Sequence, residues 1–411
     1  MPHENFVSFL REQIDELEKT GTTKGAEQVV VKIKRSKEDR GPRYRLAGYE
    51  KKNFIRMNAN SYLGLALHKK MIVAEEDAAQ KYGVGPGAVR FISGTFKPHI
   101  KLEKKLAAFH GRGACMIHSS AYTTMLGVVS TLATPETIII SDELNHNCII
   151  NAMKLARPKG KKIFKHLDLE GLETQIKESI GQCENLIVIT DGIFSMRGDY
   201  GPLDKICEIT KKYNDKFPKD IVLIVDDSHG VGAFGKTGRG TEEFTGADGI
   251  DILVGTLGKA FGVNGGYVVA HETIIHFLRE KNPFYIYTNP ITPSEAGASI
   301  TALEILDSPE GLRLLDHLRG MTARFEQGLL DMGFETIPSE HPIVPLLVRD
   351  TDKTTRLVNF LRENGVLATG LNFPVVPKGD ETIRFQVSAD HTPYDIDCVL
   401  KILAEFKESE G

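Results

Sequence analysis

The chain has 411 residues, 41% of them hydrophobic and 26% charged, and a formal charge of -4. This is globular composition, long enough for two domains with large cores, and its charge argues against a nucleic-acid binder. Scattered Cys115, Cys148, Cys183, Cys207 and Cys398 read as reduced thiols without disulfides or a metal site, and no signal peptide or apolar run of ~18 residues is evident, so a cytoplasmic protein without a membrane span is expected.

Phe6, Phe9, Leu10, Ile14 and Leu17 fall at helical spacing, which predicts an amphipathic opening helix. Short strands are expected at Val29–Lys34, Arg43–Leu46 and Phe54–Met57, the first two joined by the polar turn Arg35–Pro42. From about residue 100, aliphatic runs alternate with helical stretches: 114–117, 137–140, 186–189, 221–225 and 252–254. Such runs suit a parallel sheet covered on both faces. Ser119-Ser120, Ser141-Asp142, Thr190-Asp191, Asp226-Asp227-Ser228-His229 and Gly255-Thr256 follow them, which places polar chemistry along the carboxyl edge of the sheet. Beyond about residue 290 come a helical stretch broken near Ser308, strands near 343–348 and 382–387, a helix between them and a last helix from Asp395. Boundaries are expected at 1–57 for an N-terminal segment, 58–290 for a large α/β domain and 291–411 for a smaller α+β domain.

Gly230 to Thr237 fits both G-x-x-x-x-G-K-T and G-x-G-x-x-G, the patterns of a phosphate loop and a dinucleotide fingerprint. Both need a helix to start at once, and Gly238-Arg239-Gly240-Thr241 is a poor start, so a connecting turn is the better reading. Lys259, among Leu257, Ala260 and Phe261, is a stronger candidate. Desolvation favours its neutral amine, a nucleophile able to form a Schiff base with an aldehyde cofactor. Asp226 at a strand end would be buried and would need a cationic partner, which a pyridinium supplies. His229 can reach the oxygen side of the same ring, Thr256 is placed for a phosphate, and Ser119-Ser120-Ala121-Tyr122 opens a helix after a strand.

Several motifs in order carry a family resemblance: Asn58–Leu65, Arg90–Thr95, Ser141–His146, Asp191–Met196, Val225–Gly230, Gly255–Gly262 and Tyr287–Asn289. The chain resembles the α-oxoamine synthases, fold-type I pyridoxal phosphate (PLP) enzymes of the class II aminotransferases. Within them it is most similar to glycine C-acetyltransferase, through Val89–Thr95, Thr256–Ala260 and Phe373–Gly379. Ala121-Tyr122-Thr123-Thr124 departs from the Cys-Phe-Asp-Ala type of that branch.

The resemblance implies a PLP-dependent transferase fold, with a mostly parallel sheet between helices and a smaller C-terminal α+β domain. It implies that Lys259 bonds the cofactor and moves the substrate α-proton, while His146 stacks on the ring. Asp226 would pair with the pyridinium and His229 with the phenolic oxygen. Ser120, Ala121, Tyr122, Ser195 and Thr256 would contact the cofactor, and Thr288 and Asn289 that of a second subunit in a homodimer. Asn60 and Arg384 would bind the amino acid. The expected reaction joins glycine to acetyl-coenzyme A. Its alternatives are 8-amino-7-oxononanoate synthase, serine palmitoyltransferase and 5-aminolevulinate synthase, and a distant one is a P-loop nucleotide-binding protein.

Overall fold

The computed structural model describes residues 3–20, 22, 23, 25–373 and 376–410; Pro374 and Val375 of the Phe373–Gly379 stretch lie outside them. The five aliphatic runs become strands of one seven-stranded sheet. Its strands are β1 (Ala114–His118), β2 (Thr137–Asp142), β3 (Gly160–Phe164), β4 (Asn185–Asp191), β5 (Ile221–Asp226), β6 (Ile252–Thr256) and β7 (Gly266–Ala270). Across the sheet they run β1-β7-β6-β5-β4-β2-β3. β6, β5, β4, β2 and β3 pair in parallel, whereas β7 is antiparallel to both β6 and β1.

The runs are continuous because both faces are covered. Ile138, Ile140, Leu186 and Val188 pack in one buried cluster, and Ile139, Ile187 and Ile189 in another. Successive side chains point to opposite faces, so an alternating strand could fill only one of these clusters. Each fully buried aliphatic side chain stabilises the fold by about 1.5–3 kcal/mol before entropy is counted. Burial of every residue in β2, β6 and β7 follows from this arrangement.

Two strands escape the sequence patterns. β3 closes one edge, with Lys161 and Ile163 exposed and only Phe164 buried. β7 follows β6 through the short turn that holds Lys259, where Leu257 N donates to Gly265 O at 2.9 Å. A hairpin connection this short can only be antiparallel.

Val30–Lys34 pairs with Arg43–Leu46 around the expected polar turn. Ile55–Arg56 then pairs in parallel with Val366–Leu367, far along the chain. Gly41 N donates to Asp395 Oδ2 at 2.8 Å, which ties the same N-terminal segment to the last helix, Pro393–Glu410. None of the residues of the opening helix, Glu4–Lys19, is buried. The long C-terminal helical stretch is two helices, Pro293–Leu306 and Pro309–Asp331. Ser308 caps the second, accepting from Glu310 N at 3.2 Å, and Pro309 starts it. A second, antiparallel sheet of four strands runs in the order Glu335–Thr336, Ile343–Leu347, Thr382–Gln386, Thr369–Leu371. Among the described residues no helix is long and apolar enough to cross a membrane.

Candidate active site

A cavity of about 270 Å3 lies at the carboxyl ends of β4, β5 and β6. Asp191 and Asp226 reach it from the ends of β4 and β5, and Lys259 from the β6–β7 turn. His146 comes from the loop after β2, while Ala121 and Tyr122 open the helix Ala121–Leu132 that follows β1. Ser195, His229 and Thr256 complete the expected residues on its wall. Eight residues predicted from separate motifs therefore share one cavity.

Burial pushes the Lys259 amine below the ordinary lysine range, against the opposing pull of Asp226 and Asp191. Burial also raises the Asp191 carboxyl well above its usual range, and the neighbouring Asp226 charge adds to the shift. Asp226 accepts from Ser228 N at 3.1 Å and from Cys148 Sγ at 3.4 Å, and makes no ion pair among the described residues. A buried carboxylate without a cation is costly.

His146 caps the helix Asn147–Ala156: its Nδ1 accepts from Cys148 N at 3.2 Å, and its own backbone N donates to Asp191 Oδ2 at 2.9 Å. Burial holds the imidazole below the usual histidine range, Asp226 opposing and Lys259 assisting. His229 Nδ1 lies 2.7 Å from the Tyr62 hydroxyl, and its carbonyl accepts from His341 Nε2 at 3.0 Å. Burial, then the charges of Lys259 and Arg384, holds the His229 imidazole well below the usual histidine range.

At the helix start, Ser120 Oγ accepts from Thr123 N at 3.2 Å. The first amides of a helix have no partner within it, and with the macrodipole they form an anion site. Gly266 lets β7 pass beneath this terminus, because a Cβ there would lie 2.3 Å from Ala121 N. Ser228 Oγ, also on the cavity wall, is buried without a partner among the described residues. An uncompensated carboxylate, an orphaned hydroxyl and an open helix terminus fit a flat cationic ring bearing a phosphate.

Other expected residues lie outside the cavity wall. Ser120 caps the helix just behind it. Arg384 Nη2 donates to Asn60 Oδ1 at 3.2 Å, and Arg384 Nε is buried without a partner. Thr288 and Asn289 are exposed and take no part in the cavity of their own chain. Conversely, Cys148, Asp191, Ile193 and Ser228 line it without having been given a cofactor or substrate role from sequence. Asp191 and Ser228 each stand directly after an aliphatic run or one of its terminal aspartates, which was the available signal.

The glycine-rich Gly230–Thr237 segment forms no nucleotide loop. Thr237 N and Arg239 N donate to Glu243 Oε2 at 2.9 and 3.1 Å. The next helix, Thr241–Thr245, has five residues, and its first amide is taken by Asp227 Oδ2 at 2.7 Å. Carboxylates of the chain hold the donors a phosphate would need.

Comparison with known proteins agrees with this geometry. The family described as aminotransferase class I and II matches residues 52–403. An 8-amino-7-oxononanoate synthase 1 of Bacillus velezensis is 37% identical over 397 residues, covering 96% of each chain. The 8-amino-7-oxononanoate synthase of Petrotoga mobilis is 36% identical over 411 residues, covering 99% of each. A structure of serine palmitoyltransferase from S. paucimobilis, with a bound adduct of PLP and myriocin, superposes with a TM-score of 0.87 at 25% identity, covering 100% of this chain and 99% of that one. The 8-amino-7-oxononanoate synthase of Francisella tularensis gives 0.73 at 25% identity, with 87% and 98% covered. The relatives extend along almost the whole sequence and the lysine cavity suits their cofactor: the chain belongs to the class I and II aminotransferase family, in its α-oxoamine synthase branch, and its cofactor is PLP.

Proposed function

We propose that this enzyme joins alanine to a seven-carbon dicarboxylic acyl-coenzyme A, giving 8-amino-7-oxononanoate, carbon dioxide and coenzyme A. In that product, the amino-bearing carbon and the terminal methyl are the α- and β-carbons of alanine after loss of its carboxylate. The other seven carbons are the diacid. The reading replaces glycine with acetyl-coenzyme A, the pair that the motif resemblance favours, by the first of its alternatives. The observation that carries it is a second cavity of about 470 Å3 that shares Ser195 with the lysine cavity. An acetyl group needs no such space, and the names of the curated relatives point the same way.

Bound PLP supplies an electron sink for charge developing on the substrate α-carbon. Lys259 Nζ, whose hold on a proton burial weakens, would accept the α-proton and return it later. His146 would cover the ring face and keep water from it, while Asp226 would meet the ring nitrogen and His229 the phenolic oxygen. Ala121, Tyr122 and Thr256, with the helix start capped by Ser120, would hold the phosphate. Arg384, pre-set by Asn60, clamps the α-carboxylate. Exposed Thr288 and Asn289 serve the phosphate of a second copy, which makes the active form a homodimer. These roles suit the division into a large domain at 58–290 and a smaller one at 291–411, with substrate bound between them.

The test is product identification by mass spectrometry with purified holoenzyme. Alanine, glycine and serine are each offered with acetyl-, seven-carbon dicarboxylic and palmitoyl-coenzyme A. Fastest turnover with alanine and the diacid supports the reading. A preference for glycine with acetyl-coenzyme A, or for serine with palmitoyl-coenzyme A, moves the enzyme to another branch.

A further inference from the structure

The second cavity adjoins the first, with Ser195 lining both, and it lies between the loop after β4 and the C-terminal four-stranded sheet. Phe194, Met196, Pro345, Leu347 and Leu371 give it an apolar lining. Its volume falls in the ordinary range of small-molecule sites, roughly 300–1,000 Å3. Four charged residues also line it: Glu143, Arg197, Arg349 and Asp380.

Three of those charges are already answered. Glu143 pairs with Lys165 at 2.9 Å. Arg349 is held by Glu335 through two nitrogens, with Asp380 adding a second negative charge nearby. Arg197 differs. Its Nε donates to Asp199 Oδ2 at 2.8 Å, but among the described residues its two terminal nitrogens make no hydrogen bond. Asp199 is fixed in turn by His166 Nε2 at 3.3 Å, and His166 Nδ1 is 3.1 Å from Asp142 Oδ1. The guanidinium is thus anchored by one edge with the rest of its fork free. A half-committed, pre-oriented fork is suited to receive a carboxylate.

We infer that the second cavity receives the acyl chain of the thioester and that Arg197 binds a carboxylate at the far end of that chain. The inference rests on the proposed function and assigns its acyl specificity to one residue. Ser195 marks the end near the reacting carbon, and Arg197 follows it by two positions, on the same loop. The intervening methylenes lie against Phe194, Met196 and Leu371, away from water.

The experiment compares kcat/KM for two acyl-coenzyme A donors of equal length, seven-carbon dicarboxylic and heptanoyl, in wild type, Arg197→Met and Arg197→Lys. Wild type prefers the dicarboxylic donor. Arg197→Met lowers that preference about 10- to 100-fold, mainly through KM, as expected for loss of a charge-assisted hydrogen bond. Arg197→Lys keeps part of it, since the charge remains without the fork. As a second measurement, Leu371→Trp fills the cavity and raises KM for the heptanoyl donor more than for acetyl-coenzyme A. An Arg197→Met enzyme that retains the wild-type preference overturns the inference and leaves the proposed function standing. An equal loss with every thioester, acetyl-coenzyme A included, also overturns it, because the residue would then serve the coenzyme. Wild type that uses acetyl-coenzyme A and neither seven-carbon donor overturns both.

Discussion

Asp191 and Asp226 stand opposite each other in the register of β4 and β5, two buried carboxylates that make no ion pair among the described residues. Without PLP, like charges so placed repel, and burial has already pushed the Asp191 carboxyl up. Asp226→Asn removes one of them. The cofactor-free variant is expected to be more stable than wild type by about 1 kcal/mol in denaturant unfolding. Its turnover falls about 100-fold or more, because nothing keeps the ring nitrogen protonated. A variant less stable than cofactor-free wild type would show that the pair is not under strain.

Lys259→Ala removes the amine on which the cavity is centred. Turnover is expected to drop by about 100- to 10,000-fold or beyond, the usual scale for loss of a general base. Borohydride should no longer fix PLP to the protein, as read by intact mass. A fully active Lys259→Ala enzyme would end the assignment.

Gly266→Ala tests the close passage of β7 beneath the helix terminus. The added Cβ would meet Ala121 N at 2.3 Å, and backbone must shift to admit it. The expected cost is about 1–3 kcal/mol of folding stability, together with weaker PLP binding, measured by unfolding and by cofactor titration. Unchanged cofactor affinity would separate the helix terminus from the phosphate.

His166 gives a pH signature. Burial works against its charge, but hydrogen bonds to Asp142 and Asp199 outweigh this and push the imidazole up to about 9. A histidine raised in the folded state stabilises fully below its unfolded pKa, near 6.5, and loses that contribution as pH rises through the folded value. His166→Gln should therefore cost about 1.5–3 kcal/mol at pH 6, with the deficit shrinking toward pH 9 and above. A deficit that stays flat from pH 6 to 10 would mean that the ring acts by packing on Phe194 alone, whose centroid is 4.4 Å away.

Most of the site was legible because its residues end aliphatic strands. Asp226, Thr256 and the turn holding Lys259 each follow a run too apolar to be anything but buried. β3 was not, since an edge strand needs only one covered side and its lysines mask the pattern. β7 was not, because Gly265 and Gly266 at its start read as turn while serving a close approach. Cys148 was passed over as one scattered thiol. Its place in the first turn after His146 aims Sγ at Asp226, a contact between segments that spacing cannot reveal. Arg197 looks like a surface charge until Asp199 and the second cavity are in place around it.

The Glu243 carboxylate, which takes the amides of Thr237 and Arg239, acts as a resident stand-in for an anion. The chain meets the letter pattern of a nucleotide site while supplying its own ligand, so the corner is finished on folding and has nothing left to recognise. ATP or NAD added at millimolar concentration should therefore leave the melting temperature where it is. A glycine-rich pattern identifies a binding site only when its amides are still unspoken for, and the glutamate six residues beyond Thr237 is where a reader of such chains should look first.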